Sequence, residues 1–197
     1  MARGGRTGDP VDWVTRAADD AVRHAGEAAG VDAPITCASG ASPSGRIHLG
    51  NLREFITVHF VVEELRRRGL KARHLHSWDD YDRFRKVPVG APPEWAEHIG
   101  RPLSAVPDPE GCHESWAEHY KAPLRASLAE MGIEMEEVSQ TQMYRAGTYR
   151  EGILTAVRRR DEVDEILGKY RTKKTAPLSD EAKFESTAEE DVEGADD

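Results

Sequence analysis

Residues 42 to 51 read Ser42-Pro43-Ser44-Gly45-Arg46-Ile47-His48-Leu49-Gly50-Asn51. The segment gathers the residue types that hold a chain of phosphates. Gly40, Gly45 and Gly50 are spaced so that backbone can approach a ligand with no Cβ in the way. Pro43 stiffens the turn. His48 stands where a helical pattern begins, and there the open N–H groups and the positive end of the dipole favour anions. An imidazole at that point can donate to a phosphate oxygen, and Asn51 can supply a second donor. Such a donor matters most when charge builds up in a transition state, where losing one costs about 10²–10³ in rate. Each part has an ordinary reading too: a glycine-rich turn is often only a turn, and a histidine can start a helix with no other task. The spacing Pro-x-Gly-x-x-His-x-Gly-Asn is far more specific than any member.

Other residues could do chemistry. Asp79, Asp80 and Asp82 form an acidic knot, which either caps a turn and pairs with Arg83 or Arg85 or holds a substrate ammonium. His74 and His76 share one face of a strand, the usual position of packing residues. Cys112, His113 and His119 lie further on. The combined spacing fits no common zinc pattern, so no metal site is expected. Arg66, Arg67 and Arg68, and likewise Arg83, Arg85 and Lys86, could meet nucleic-acid phosphates; arginines ending a helix are also simply solvated and favoured by the dipole. Arg158, Arg159 and Arg160 read as a solvated helix face with local pairing.

The elements that must position these residues follow from periodicity. Residues 12–29 are alanine-rich with apolar or small residues at helical spacing, and Pro34 follows. Residues 35–39 form a short strand. Residues 48–68 carry Leu52, Phe55, Ile56, Val62 and Leu65 at a 3.6-residue period and end on three arginines and Gly69. Residues 71–78 form a second strand. Strand, helix, strand at this spacing predicts the βαβ unit of a parallel sheet. Residues 79–109 hold six prolines and read as a long functional loop or insertion. A helix over 114–131 should kink or split at Pro123, a strand follows over 133–138, and a charged helix covers 147–170.

The chain has 197 residues, 38% hydrophobic and 32% charged, which suits one domain with a real core. No apolar run approaches a bilayer's thickness, and the first residues lack a secretory h-region. Two cysteines, Cys37 and Cys112, without a CxxC pair argue against a disulfide scaffold, so a cytoplasmic location is expected. The net charge of −9 is uneven: residues 176–197 contribute −8, leaving −1 for the body, where basic clusters can still meet phosphates. Residues 1–11 are expected to be flexible. The acidic stretch over 173–197 is expected to be disordered.

The decapeptide resembles the "HIGH" motif of class I aminoacyl-tRNA synthetases, in the form that ends on Asn51. Three more blocks resemble the class I lysyl-tRNA synthetases in particular. They are Trp78-Asp79-Asp80-Tyr81-Asp82-Arg83-Phe84-Arg85-Lys86-Val87-Pro88, the stretch from Val106 to Ser115, and Met143-Tyr144-Arg145-Ala146-Gly147. The likeness spans residues 10 to 172. It implies a Rossmann-like ATP-binding core over 12–172, with a proline-rich insertion about 83–110. It implies formation of lysyl-adenylate from lysine and ATP with Mg²⁺, then transfer of lysine to its tRNA. Carried over by position, His48 and Asn51 would contact the ATP phosphates as the catalytic pair. Pro43, Gly45 and Gly50 would complete the nucleotide site, Gly50 letting adenine pack on backbone. Gly40 and Ser42 would meet the lysine, with Asp79 and Asp80 beside them.

The resemblance also sets a limit. The lysine-rich "KMSKS" loop of these enzymes has no counterpart, since Lys173-Lys174-Thr175 is a poor match. The family's zinc-binding insertion, the second half of its nucleotide fold and its anticodon-binding region would lie beyond residue 172. The expectation is an N-terminal part, an incomplete first half of the sheet, with little adenylation by itself. A separate polypeptide could supply the rest. Two other readings stay open: a nucleotide-binding or regulatory paralogue without ligase activity, and a tRNA-binding module.

Overall fold

The computed structural model describes residues 12–28, 33–88 and 92–170. The expectations for residues 1–11 and 173–197 lie outside these described residues. The described chain is α/β, built on a three-stranded parallel sheet in the order β1-β2-β3. β1 is Ile35–Ala41, β2 is Ala72–Trp78 and β3 is Glu136–Ser139. Register pairs Ile35 with Ala72 and Ala41 with Trp78, and on the other side Leu75 with Glu136 and Trp78 with Ser139.

Helix α1 is Trp13–Ala28; Asp12 accepts the amide of Thr15 at its start (2.8 Å). Helix α2, Leu49–Arg67, makes the crossover from β1 to β2. It stops because Gly69 takes φ 81°, which lets the Gly69 amide reach the Arg66 carbonyl and the Leu70 amide reach that of Leu65. Helix α3, Trp116–Glu130, makes the next crossover; Ser115 caps it by accepting the Glu118 amide. Of the kink or split expected at Pro123, the split does not occur. That proline lies on the exposed side of α3, where solvent can take the carbonyl left without its N–H partner.

One face of the sheet meets α2 and α3. Phe55, Trp78, Leu124, Leu128 and Ile133 form the core there, with Ala41 at the end of β1. Ala18 of α1 packs on Val61 and Leu65 of α2. The opposite face is polar in part: Arg73 reaches Thr36 Oγ1 and Glu136 (each 2.9 Å). This is a partial Rossmann-like arrangement, three parallel strands with their crossovers.

The proline-rich stretch is a packed unit. Phe84, Leu103, Val106, Trp116 and Ala117 make a second core, with Trp95 and Tyr120 against it. A bridge between Arg83 and Pro102 and 3₁₀ turns at Pro93–His98 and Leu103–Ala105 shape it. Two further expectations change. The third strand begins at Glu136, because Ile133 is used to close α3 and is buried. The single helix expected over 147–170 is replaced by α5, Arg150–Arg158, and α6, Arg160–Gly168, preceded by a short α4, Gln140–Arg145. Neither α5 nor α6 has a buried residue.

Candidate functional site

The signature loop runs from the end of β1 to the start of α2. His48 is the N-cap of α2, with extended backbone (φ −124°, ψ 175°). Its Nδ1 accepts the amide of Gly50 (3.1 Å), and Asn51 Oδ1 accepts the amide of His48 (3.2 Å). This reciprocal cap has a chemical consequence. A neutral imidazole that accepts through Nδ1 carries its proton on Nε2, and an asparagine that accepts through Oδ1 keeps its amide N–H groups for other work. Both donors, on the exposed His48 and the half-buried Asn51, are thus oriented at a helix N-terminus by bonds to backbone alone.

Gly50 is explained by the same geometry. A Cβ there would lie 2.9 Å from Cε1 and 3.0 Å from Nδ1 of His48. The absent side chain makes room for the imidazole. At Gly40 a Cβ would meet Ser77 O at 3.6 Å, an ordinary contact, and Gly45 lies in open space. Pro43 is fully buried. Ser42 and Gly45 line a cavity of about 500 Å³ between the loop and the insertion.

The three aspartates separate. The Asp79 amide donates to Ala41 O (3.0 Å), tying β2 to β1 beside the loop. Its carboxyl accepts from Ser77 Oγ at 3.3 Å. Partial burial and the charges of Asp82 and Asp80 hold its pKa above the ordinary carboxylate value. Asp79 and Asp82 line a small cavity, about 200 Å³, with Tyr81, Gln140 and Tyr144.

Asp80 is buried and accepts from Lys121 Nζ (2.6 Å), Ser139 Oγ (2.7 Å) and the Thr141 amide (2.8 Å). Burial raises its pKa, but these donors outweigh burial and leave it lowered. Its acceptor sites are turned inward, so the expectation that it contacts substrate gives way to a structural role joining β2, α3 and α4. Sequence reasoning misses Lys121, although a signal exists. Ala117, Lys121, Leu124 and Leu128 follow one helical stripe, and a lysine on an apolar stripe needs a buried acid.

The arginines at the end of α2 are also engaged. Arg67 and Arg68 pair with Glu64, and Arg68 reaches Asp19 (2.6 Å). Arg66 pairs with Glu63. The contact of Arg68 with Asp19 braces the end of α2 against α1, and the other pairs stay within the last turns of α2. His74 and His76 are buried, as packing residues would be, and share the hydroxyl of Ser39 (2.6 and 2.7 Å).

One arrangement departs from the reading of spacing. Asp108, Cys112, His113 and His119 bring one ligand atom each to within 4.8 Å of one another. Asp108 lies 3.3 Å from His113 Nδ1 and 3.0 Å from His119 Nδ1; Cys112 Sγ lies 3.0 Å and 3.4 Å from the same nitrogens. A tetrahedron with bonds of about 2.1 Å has edges of about 3.4 Å, so the donors sit close to the spacing a zinc-sized ion requires. His74 and His76, candidates for the same site by sequence, lie elsewhere, in β2. Asp108 also accepts the amides of Glu110 and Gly111, which gives it a second use as loop organiser.

The family described as tRNA synthetases class I (K) matches residues 11–185. A lysine–tRNA ligase of Streptomyces coelicolor is 50% identical over 191 residues, covering 95% of this chain and 33% of that protein. One from Thermococcus kodakarensis is 43% identical over 171 residues, 86% of this chain and 32% of the relative. One from Treponema pallidum is 42% identical over 138 residues, 69% and 26% respectively. The chain spans about a third of the length of the first of these relatives. No helix among the described residues is long and apolar enough to cross a membrane.

Proposed function

We propose that this chain, which belongs to the class I (K) tRNA synthetase family, carries the ATP-facing half of a lysine–tRNA ligase. The observation that carries this reading is the cap of α2, which leaves the Nε2–H of His48 and the amide of Asn51 as oriented donors. ATP binds with Mg²⁺ so that these donors meet its phosphates. They stabilise the charge that grows when the lysine carboxylate attacks the α-phosphorus and pyrophosphate leaves. Gly40, Ser42 and Asp79 stand at the ends of β1 and β2, where ligands of parallel sheets bind, and hold the lysine. The pyrophosphate clamp, the rest of the amino-acid pocket and most tRNA contacts come from parts matching the other two-thirds of the relatives, in the same or a separate polypeptide.

Isothermal titration of the 197-residue chain with ATP tests the half-site. Binding weakens about tenfold or more in His48→Ala, while lysine-dependent ATP–pyrophosphate exchange stays near background. Equal ATP binding by the His48→Ala chain would refute the assignment. Full exchange activity lost in that variant would refute the half-site limit.

The cluster of Asp108, Cys112, His113 and His119 belongs to the same reading as a structural metal site. One sulfur, two imidazole nitrogens and one carboxylate suit zinc. The ion would pin the insertion to the start of α3, which carries His119 and Tyr120. Elemental analysis should find about one zinc per chain in the wild type and far less in Cys112→Ser. A metal-free wild type that melts at the same temperature with and without added zinc would rule this out.

A further inference from the structure

We propose that Tyr149 is a positioning residue for the Asp79 carboxyl, acting through Gln140 and Ser77. Tyr149 is the N-cap of α5. Its hydroxyl donates to Gln140 Oε1 (2.7 Å), Gln140 Nε2 donates to Ser77 Oγ (2.7 Å), and the Ser77 hydroxyl donates to Asp79 Oδ1 (3.3 Å). All three bonds run one way, from phenol to carboxylate. The groups themselves favour that order. An ionised carboxylate only accepts, a phenol has a proton to give, and the amide between them has one accepting and one donating end. With its oxygen held by Tyr149, the Gln140 amide presents its nitrogen to Ser77, and the serine proton is left for Asp79. Each donation also polarises the next donor along the line.

A second set of contacts fixes the phenol. Tyr149 meets Tyr144 edge to face (5.1 Å, 69°), and Tyr144 stacks on Tyr81 (4.4 Å, 16°). Tyr81 lies between Asp80 and Asp82. Rings and hydrogen bonds therefore tie the start of α5 to the same acidic loop by two separate routes. Asp79, Tyr81, Asp82, Gln140 and Tyr144 line the cavity of about 200 Å³ between them, and Tyr149 stands behind it. Asp82 faces the cavity together with Asp79, while Asp80 is turned inward to Lys121. Burial and the charges of Asp82 and Asp80 disfavour an ionised Asp79, and the bond from Ser77 opposes them. Gly40 is paired with Ser77 in register and puts no side chain beside it.

The use of this arrangement rests on the proposed ligase function, in which Asp79 meets the lysine; the geometry itself does not. A charged and fixed carboxylate attracts an ammonium group, whereas a protonated one offers it little. Tyr149 does not line the cavity, so its hydroxyl reaches a ligand there only through Gln140, Ser77 and Asp79.

The test uses the full ¹³C-labelled chain and follows the side-chain carboxyl carbon of Asp79 by NMR through a pH titration. Asp79→Asn identifies the resonance. Ser77→Ala removes the last donor and raises the midpoint of that carbon. Tyr149→Phe keeps the ring contacts, removes the hydroxyl and raises the midpoint by about half a pH unit, about threefold in proton affinity. In the Ser77→Ala chain the same change moves the midpoint no further, because the line is already cut. A tyrosine that only packs would shift the midpoint by the same amount in both backgrounds, or in neither, and either result overturns the proposal. Should Tyr149→Phe not fold, Gln140→Met makes a second cut, with the same upward shift expected only while Ser77 is present. L-Lysine is then titrated into the same samples. An Asp79 carbon that follows this cycle but ignores lysine would refute the lysine contact of the proposed function and leave the positioning role standing.

Discussion

At the scale of single residues, His48 and Gly50 form one device. The imidazole lies where a Cβ of residue 50 would be, and its Nδ1 takes the Gly50 amide. Gly50→Ala should therefore separate stability from binding. Alanine favours a helix over glycine by about 0.5–1 kcal/mol, so the melting temperature should hold or rise slightly. The imidazole must move, and ATP affinity should fall about tenfold, with the Nε2 donor misdirected. Calorimetric titration with ATP beside a thermal melt checks both halves. A variant that binds ATP as the wild type does would separate His48 from the nucleotide. Asp80 and Lys121 make the contrasting case. Their buried pair is a brace for the site, and Asp79, one residue away, keeps a carboxyl turned to open space.

At the scale of elements, β1 and β2 carry a buried histidine pair whose state depends on pH. The hydroxyl of Ser39 has one proton and bridges both rings, so it donates to one and accepts from the other. The second nitrogens, His74 Nδ1 and His76 Nε2, have no partner among the described residues. Two neutral rings fit this arrangement and two imidazolium ions do not. Burial, then the charge of His59, lowers His74 to about 4. Burial lowers His76 to about 4 as well, with His74, Lys121 and Arg125 adding to it and Glu137 opposing. The folded pKa lies below the unfolded value near 6.5, so the unfolded chain binds more protons between them. Stability is fully present above pH 6.5, falls through the window down to about pH 4, and loses at most on the order of 3 kcal/mol per imidazole. Urea melts at pH 7.5 and pH 5.0 measure the loss. Equal midpoints at the two values would show that the rings already carry protons or are hydrated. Burial raises Asp80, Glu118 and Glu137, but their hydrogen-bond donors outweigh it and hold all three below the ordinary carboxylate values.

At the scale of the whole molecule, stability is unevenly distributed. β2 lies between two strands and under Phe55, Leu124 and Leu128, whereas α5 and α6 contribute no buried residue. Ile153, Val157, Ile166 and Leu167 are exposed. The amides of residues 150–168 should exchange with deuterium at least about 10²-fold faster than those of β2, through local opening that leaves the sheet intact. Uniform protection across both regions would mean that the helices are held by contacts beyond those described. The sheet is the platform for the site: β1 delivers the signature loop, β2 delivers Asp79, and α3 brings the insertion against both.

Much of this arrangement is legible in the chain. The period of α2, its arginine and glycine stop, and the alternation in β2 come from local backbone and side-chain rules, so the βαβ unit and the loop at its head follow directly. His48 and Asn51 are readable for the same reason, since both caps act within three residues. Contacts across long separations are not. Asp80 meets Lys121 41 positions away, and only packing shows that its carboxylate turns inward. Pro43 reads as a residue that stiffens the turn, and only packing shows that its side chain is buried. Cys112 and His119 give no recognisable spacing, because Asp108 supplies the fourth donor from before the turn and the fold of the insertion brings all four together. Local chemistry is written in neighbouring letters, whereas burial and convergence depend on which distant segments the apolar side chains pull together.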